Sequence, residues 1–170
     1  KNELIHWILT LAIAVIIALC VNRFVLVNAE IPSGSMENTI MTGDRVFGNR
    51  LAYIFGEPKR FDIIIFRYPD DEKQLFIKRI IGLPGETVEI HDGQIFIDGS
   101  KTPLKDVTTK EFMQGSFGPY TVPDNCYFVM GDNRNNSKDS RYWEHTFVTD
   151  DEIVGKAFLR YWPLNKIKFL

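Results

Sequence analysis

Residues 61–85 read FDIIIFRYPDDEKQLFIKRIIGLPG, and this stretch decides the fold. Phe61 to Arg67 is near continuously apolar and rich in β-branched residues, the pattern of a strand buried on both faces. Tyr68-Pro69-Asp70-Asp71 turns the chain. Gln74 to Ile81 is a second strand, ended by Leu83-Pro84-Gly85. Lys78 stands inside that second run with apolar residues before and after it. Burying an ammonium is costly, so such a site favours the neutral amine, which accepts a proton near neutral pH. A strand lysine is more often solvated at an edge, so Lys78 needs a partner before it implies chemistry.

Working back towards the N-terminus, Leu4 to Val21 is an apolar stretch interrupted only by His6 and Thr10 and closed by Arg23. A spanning helix needs about 20 mainly apolar residues. A secretory signal peptide has a shorter apolar region, and a buried core helix would carry a polar stripe. The reading is a permanent membrane anchor over 1–23. Lys1, Glu3 and Arg23 alone do not orient it. The first residue is Lys rather than Met, which reads as a chain trimmed before Lys1. After Arg23 the pattern turns to strand, Phe24 to Ile31. Met41-Thr42-Gly43-Asp44 is a turn, Arg45-Val46-Phe47 a short strand, and Leu51 to Gly56 a helical turn or loop.

Downstream, Thr87 to His91 and Gln94 to Ile97 flank Asp92-Gly93, a hairpin signature whose glycine accepts the positive φ of a primed turn. Residues 100 to 118 are polar and read as a long surface excursion. Tyr120 to Val122, Tyr127 to Met130 and Ile153 to Trp162 are further strands. The expectation is a mainly β fold: an antiparallel, partly barrel-like domain over 24–170, with 87–125 a smaller hairpin-and-loop portion, behind one N-terminal transmembrane helix.

The net charge of −2 over 170 residues gives no electrostatic case for nucleic acid. Cys20 and Cys126 read as small buried apolar residues rather than a disulfide. The three histidines, His6, His91 and His145, are scattered, so neither a metal site nor a cofactor is expected.

Pro32-Ser33-Gly34-Ser35-Met36 places a serine in a tight polar turn directly after a strand-like run. A hydroxyl there becomes a nucleophile only if a base reaches it. No histidine is placed to serve, and Lys78 is the better candidate. Residues 131–141, GDNRNNSKDSR, form a third element, dense in Asp, Asn, Ser and Arg. Such a run is either a solvated loop with local Asx turns or a network of paired charges that orients a base.

Together these stretches resemble the bacterial type I signal peptidases, membrane-anchored serine proteases with a Ser-Lys dyad. The anchor, Pro32 to Met36, Gly43-Asp44-Arg45-Val46, Lys78 to Glu86, and Gly131 to Arg141 follow the family's boxes in order and cover nearly the whole chain. The length resembles the compact Gram-positive form. One departure is Asn38, where the family often has proline; an asparagine can hold a turn by its own side chain.

The resemblance implies roles. Ser35 would be the nucleophile and Lys78 the general base. The Ser35 N–H and the Ser33 hydroxyl would form the oxyanion hole. Ser137 would hydrogen-bond the Lys78 amine, Asp139 and Arg141 would form a supporting charge pair, and Arg79 and Asp132 would stand behind them. Ile31, Met36, Ile40, Phe76 and Ile77 would line pockets for small side chains at the first and third residues before the cut. Trp143, Trp162 and Phe169 would either touch the membrane interface or sit in the core. The implied activity is removal of signal peptides after small-x-small sites, with no cofactor. The partners are preproteins and the bilayer, and the chain would work as a monomer on the extracytoplasmic side of the cell membrane. The rival readings are a self-cleaving Ser-Lys peptidase and a non-catalytic, membrane-tethered β domain that binds exported peptides.

Overall fold

The computed structural model describes residues 2–54, 56–106 and 111–170. Helix α1, Asn2–Cys20, continues as one π-helical turn, Val21–Val25. Its side chains from Glu3 to Phe24 are exposed, and Glu3–Val25 is long and apolar enough to cross a membrane. A core helix would be buried, so this one is left for lipid to cover. Phe24 and Val25, expected to open a strand, belong to this helix instead. Cys20 is exposed on the helix rather than buried, and neither cysteine is in a disulfide.

Eleven strands follow among the described residues: β1 (Leu26–Glu30), β2 (Arg45–Asn49), β3 (Ile63–Tyr68), β4 (Asp71–Gly82), β5 (Thr87–His91), β6 (Gln94–Ile97), β7 (Phe117–Thr121), β8 (Cys126–Met130), β9 (Val148–Thr149), β10 (Ile153–Trp162) and β11 (Lys168–Phe169). One sheet has the order β1-β2-β10-β3-β4-β8-β9, with β11 added along β10. The second sheet has the order β6-β5-β7. The hairpin turn has Asp92 at φ 50° and Gly93 at φ 71°, both left-handed as a primed turn requires. Part of the expected excursion over 100–118, residues 107–110, lies outside the described residues, as do Phe55 of the 51–56 turn and Lys1 of the anchor.

The run quoted first behaves as its composition demands. Ile63 and Ile65 of β3 face one core layer with Val27, Ile31, Met36, Ile40, Val46 and Ile77. Ile64 and Phe66 face the opposite layer with Ile80, Val129, Trp143 and Val148. A strand covered on both sides has no polar face, which is why the alternation is missing from its sequence. A third cluster, including Ile81, Val88, Ile95 and Phe128, joins the two sheets. Trp143 is core, packed against Phe66, whereas Trp162 and Phe169 are exposed.

The main sheet does not close. All its pairs are antiparallel, so β1 and β4 run in the same direction. The pairing of β8 with β4 begins only at Arg79, leaving Leu75 to Ile77 with a neighbour on one side. β1 has only β2 beside it. These two unpaired edges face a common cleft, and the sheet does not close into a barrel there.

Phe66 is fully buried in the layer that contains Trp143. Phe66→Ala is expected to lower unfolding free energy by about 3–5 kcal/mol, measured by urea titration in detergent. A loss below about 1 kcal/mol would contradict a core placement.

Candidate active site

Strand β1 delivers the chain to Ser35. Its pairing is prolonged past Glu30 by Ile31 N–H to the Asp44 carbonyl (3.0 Å) and Gly43 N–H to the Ile31 carbonyl (2.8 Å). Ser35 then sits in one 3₁₀ turn, Gly34–Met36. Met36 and Ile40 are wholly buried and pin the loop to the core. The Asp44 carboxylate accepts from Met41 N–H (2.8 Å) and from the Arg160 guanidinium (3.1 Å), which fixes the return turn. Asn38 lies in this loop at φ 95°, a conformation closed to proline, whose ring holds φ near −65°. The departure from the family pattern is thus matched by a different backbone rather than by the side-chain hydrogen bond expected of Asn38.

Lys78 reaches the loop from β4. Its Nζ lies 2.7 Å from Ser35 Oγ, and both residues are buried, Lys78 at 4 % and Ser35 at 8 % exposure. Burial pushes the Lys78 amine down from 10.5 to about 8, against the partial opposing pull of the Asp139 and Asp132 carboxylates. Near pH 8 a substantial fraction is therefore neutral, with a lone pair for the Ser35 proton. Ser33 Oγ is 3.4 Å from Ser35 Oγ. No histidine competes. His6 is exposed on the helix, His91 stacks on Phe96, and His145 pairs with Asp70 at 2.9 Å. Among the described residues no group of His, Cys, Asp or Glu is arranged to hold a metal ion.

The polar loop after β8 is a set of closed charge pairs. Asp132 takes two bonds from Arg79, at 2.7 and 2.6 Å, and one from the Thr39 hydroxyl at 2.5 Å. Asp139 takes two from Arg141, at 2.8 and 2.9 Å, and one from Gly131 N–H at 3.0 Å. Arg134 donates to the Gly131 carbonyl and to Asp106. Asn133 grips the serine loop directly. Its N–H donates to the Ser35 carbonyl (3.0 Å) and its side chain to the Gly34 carbonyl (3.0 Å).

The family described as signal peptidase, peptidase S26, matches residues 4–162. The chain belongs to this family. Signal peptidase I of Leptolyngbya laminosa is 39% identical over 98% of the chain and 83% of that protein. Signal peptidase I S of Bacillus subtilis strain 168 is 37% identical over 99% of the chain and 94% of that protein. The crystal structure of a signal peptidase I from Enterococcus faecalis V583 superposes with a TM-score of 0.50 at 37% identity, covering 59% of this chain and 96% of that one.

For this member of the signal peptidase family, the structure sorts the residues that the sequence nominated. It brings together Ser35, Lys78 and Ser33, and it forms the Arg79–Asp132 and Asp139–Arg141 pairs. It does not form the expected Ser137–Lys78 bond. The Ser137 hydroxyl is buried without a hydrogen-bond partner, and it lies beside Gly131, where an added Cβ would come within 2.3 Å of Ser137 Oγ and of the Ser35 carbonyl. Gly131 is therefore required by close approach. A cleft of about 370 Å³ opens beside Ser35 and Lys78, lined by Ile31, Ile65, Phe76 and Ile77 among others. Met36 and Ile40 do not line it. They follow Ser35 closely in sequence, but their side chains point down into the core. Sequence reasoning missed Asn133, Thr39 and Arg160, whose partners lie far along the chain. The only signal for Asn133 was its place inside the polar box.

Two outcomes follow from the buried amine. The acylation rate should rise with pH through about 8 and level off above it; a profile flat from about pH 6 to about 10 would contradict a lysine base. For a depressed lysine the folded state binds fewer protons than the unfolded chain between about 8 and 10.5, so stability rises with pH across that window. Below it the full penalty applies, on the order of 3 kcal/mol. Lys78→Met should thus gain on the order of 1–3 kcal/mol at neutral pH, read by thermal unfolding, and a stability loss would show that the ammonium is well solvated. For the loop, Asn38→Gly should fold normally, whereas Asn38→Pro should lose about 3 kcal/mol or more.

Proposed function

We propose that this membrane-anchored serine endopeptidase removes N-terminal signal peptides from exported preproteins, with Ser35 as nucleophile and Lys78 as general base. The observation that carries the assignment is the 2.7 Å contact between two buried groups, a hydroxyl and an amine held near neutral charge. In the proposed reaction, neutral Lys78 takes the Ser35 Oγ proton as Oγ attacks the carbonyl of the residue before the cut. The oxyanion accepts from the Ser35 N–H and the Ser33 hydroxyl, a class of donor worth about 3–4 kcal/mol each in the transition state. Lys78 then gives its proton to the leaving amine, and the preprotein departs with a new N-terminus. Water, deprotonated by the same amine, hydrolyses the Ser35 ester and releases the signal peptide.

The substrate enters as the missing strand. The unpaired edges of β1 and β4 flank the cleft, so an extended peptide between them has backbone partners on both sides. Its side chains then alternate between the Phe76 face and the face of Ile31 and Ile77. The space left there suits small side chains at the first and third positions before the cut. Asp139–Arg141 and Asp132–Arg79 hold the loop and the amine in register. The anchor supports catalysis by concentration, since the preprotein is itself held in the bilayer by its signal helix. The catalytic domain lies on the extracytoplasmic side, where exported chains emerge. One chain supplies the nucleophile, the base and the cleft, so the monomer is the working unit.

The test is cleavage of a purified preprotein in lipid by wild type, Ser35→Ala and Lys78→Ala, with N-terminal sequencing of the product. The expected result is one cut after a small-x-small site, lost by about a thousandfold or more in each variant. A cut that survives Ser35→Ala would remove Ser35 as nucleophile. No cut by folded wild type would leave a binding domain.

A further inference from the structure

The cleft carries two charged groups that the reaction above does not use, Lys138 and Glu30. Lys138 lies between Ser137 and Asp139, yet its side chain turns outward and lines the cleft together with Gln74 and Phe76. Among the described residues it pairs with no carboxylate. Its Nζ instead sits 6.0 Å from the centre of the Tyr68 ring, and Tyr68 stacks on Phe76 at 4.3 Å and 2°. The other long charged side chain at the cleft, Glu30 on the β1 side, is already paired with Arg45 at 3.2 Å. The cleft thus has a neutralised wall along β1 and, on its β4 side, a cation from the loop after β8 that no carboxylate pairs.

Position along the strand sets what this cation meets. Lys78 marks the scissile bond, and Phe76 lies two residues back along β4, on the same face. Through Tyr68 and Phe76, Lys138 stands level with that upstream part of the cleft. A strand filling the gap alternates its side chains. If the first and third residues before the cut turn into the apolar floor, the second and fourth turn outward to the rim. We propose that Lys138 is a specificity-determining residue that favours a carboxylate side chain, Asp or Glu, at the second or fourth residue before the cut and disfavours Lys or Arg there. This rests on the signal peptidase reading of the cleft. The Lys138 side chain is exposed to solvent, so the preference is modest, about two- to fivefold per charge step, and it weakens as salt screens the pair.

The experiment uses the full chain in lipid and one preprotein carrying Glu, Gln or Lys at the second or the fourth position. Rates are compared as ratios within each enzyme, which cancels the active fraction. Wild type is expected to order the substrates Glu, Gln, Lys at one of these positions, with the spread shrinking in high salt. Lys138→Ala should bring the ratios close to one, and Lys138→Glu should invert them. Equal ratios in wild type, or ratios unchanged in Lys138→Glu, overturn the proposal while cleavage of the Gln substrate leaves the peptidase reading standing. Failure of wild type to cut any of the substrates overturns both.

Discussion

The constraint on which the site depends is the burial of one amine. Lys78 lies on a strand that must be apolar to fill the sheet, and its Nζ ends against a serine hydroxyl rather than in water. The same desolvation that destabilises the ammonium makes the neutral form accessible. This is a local conflict between folding and chemistry, of the kind that active sites retain. The surrounding structure bears it because the nearby charges are already matched. Asp132 and Asp139 pull the amine's proton affinity upward, but each is engaged by its own arginine, so burial remains the larger effect.

The boxes that mark the family therefore share one physical logic. Beyond the serine turn itself, each contributes to a buried carboxylate–arginine pair. Asp44 meets Arg160, Asp132 meets Arg79, and Asp139 meets Arg141. Removing one partner of such a pair strands a buried charge and typically costs about 3–5 kcal/mol. What these pairs gain is position more than stability. Arg79 ties β4 to the loop after β8, and Asp132 ties that loop to Thr39, four residues past Ser35. Asn133 closes the circuit on the Ser35 carbonyl. Serine and lysine, on separate elements, are thus held by one continuous set of bonds.

This logic explains what was legible in the sequence. The doubly buried β3, the Asp-Gly hairpin and the lysine in an apolar run are local patterns, and local patterns carry through to structure. The anchor was legible too, but its end was not. Phe24 and Val25 have strand propensity, yet they extend the helix, where lipid rather than a core would cover their side chains. Met36 and Ile40 were nominated for the cleft because they adjoin the nucleophile. A tight turn, however, sends successive side chains in different directions, and these two point inward. The long-range partners, Arg160 to Asp44 and Asn133 to Ser35, have no local signature. Ser137 was assigned to the amine by resemblance, and here its hydroxyl rests beside Gly131 with its bonding capacity unused. The partly barrel-like expectation counted strands but could not see that the cleft leaves an empty place between the edges of β1 and β4.

That empty place is itself an argument about function. Unpaired sheet edges invite other strands, and proteins normally blunt them. Along β4 the blunting is confined to the outer end, where Asp71, Glu72 and Lys73 place charges. From Leu75 to Ile77 the edge is apolar and bare, and the facing β1 edge leads straight to Ser35. A soluble chain with such a cleft would risk pairing with any extended segment. In the proposed binding mode, the cleft accepts a complete strand only where two edges and an apolar floor agree. Ser35, the proposed nucleophile, lies at the end of that path rather than along it. An extended peptide can therefore dock its upstream residues fully before its scissile bond meets the buried pair, so that binding and chemistry are read from different parts of the same strand.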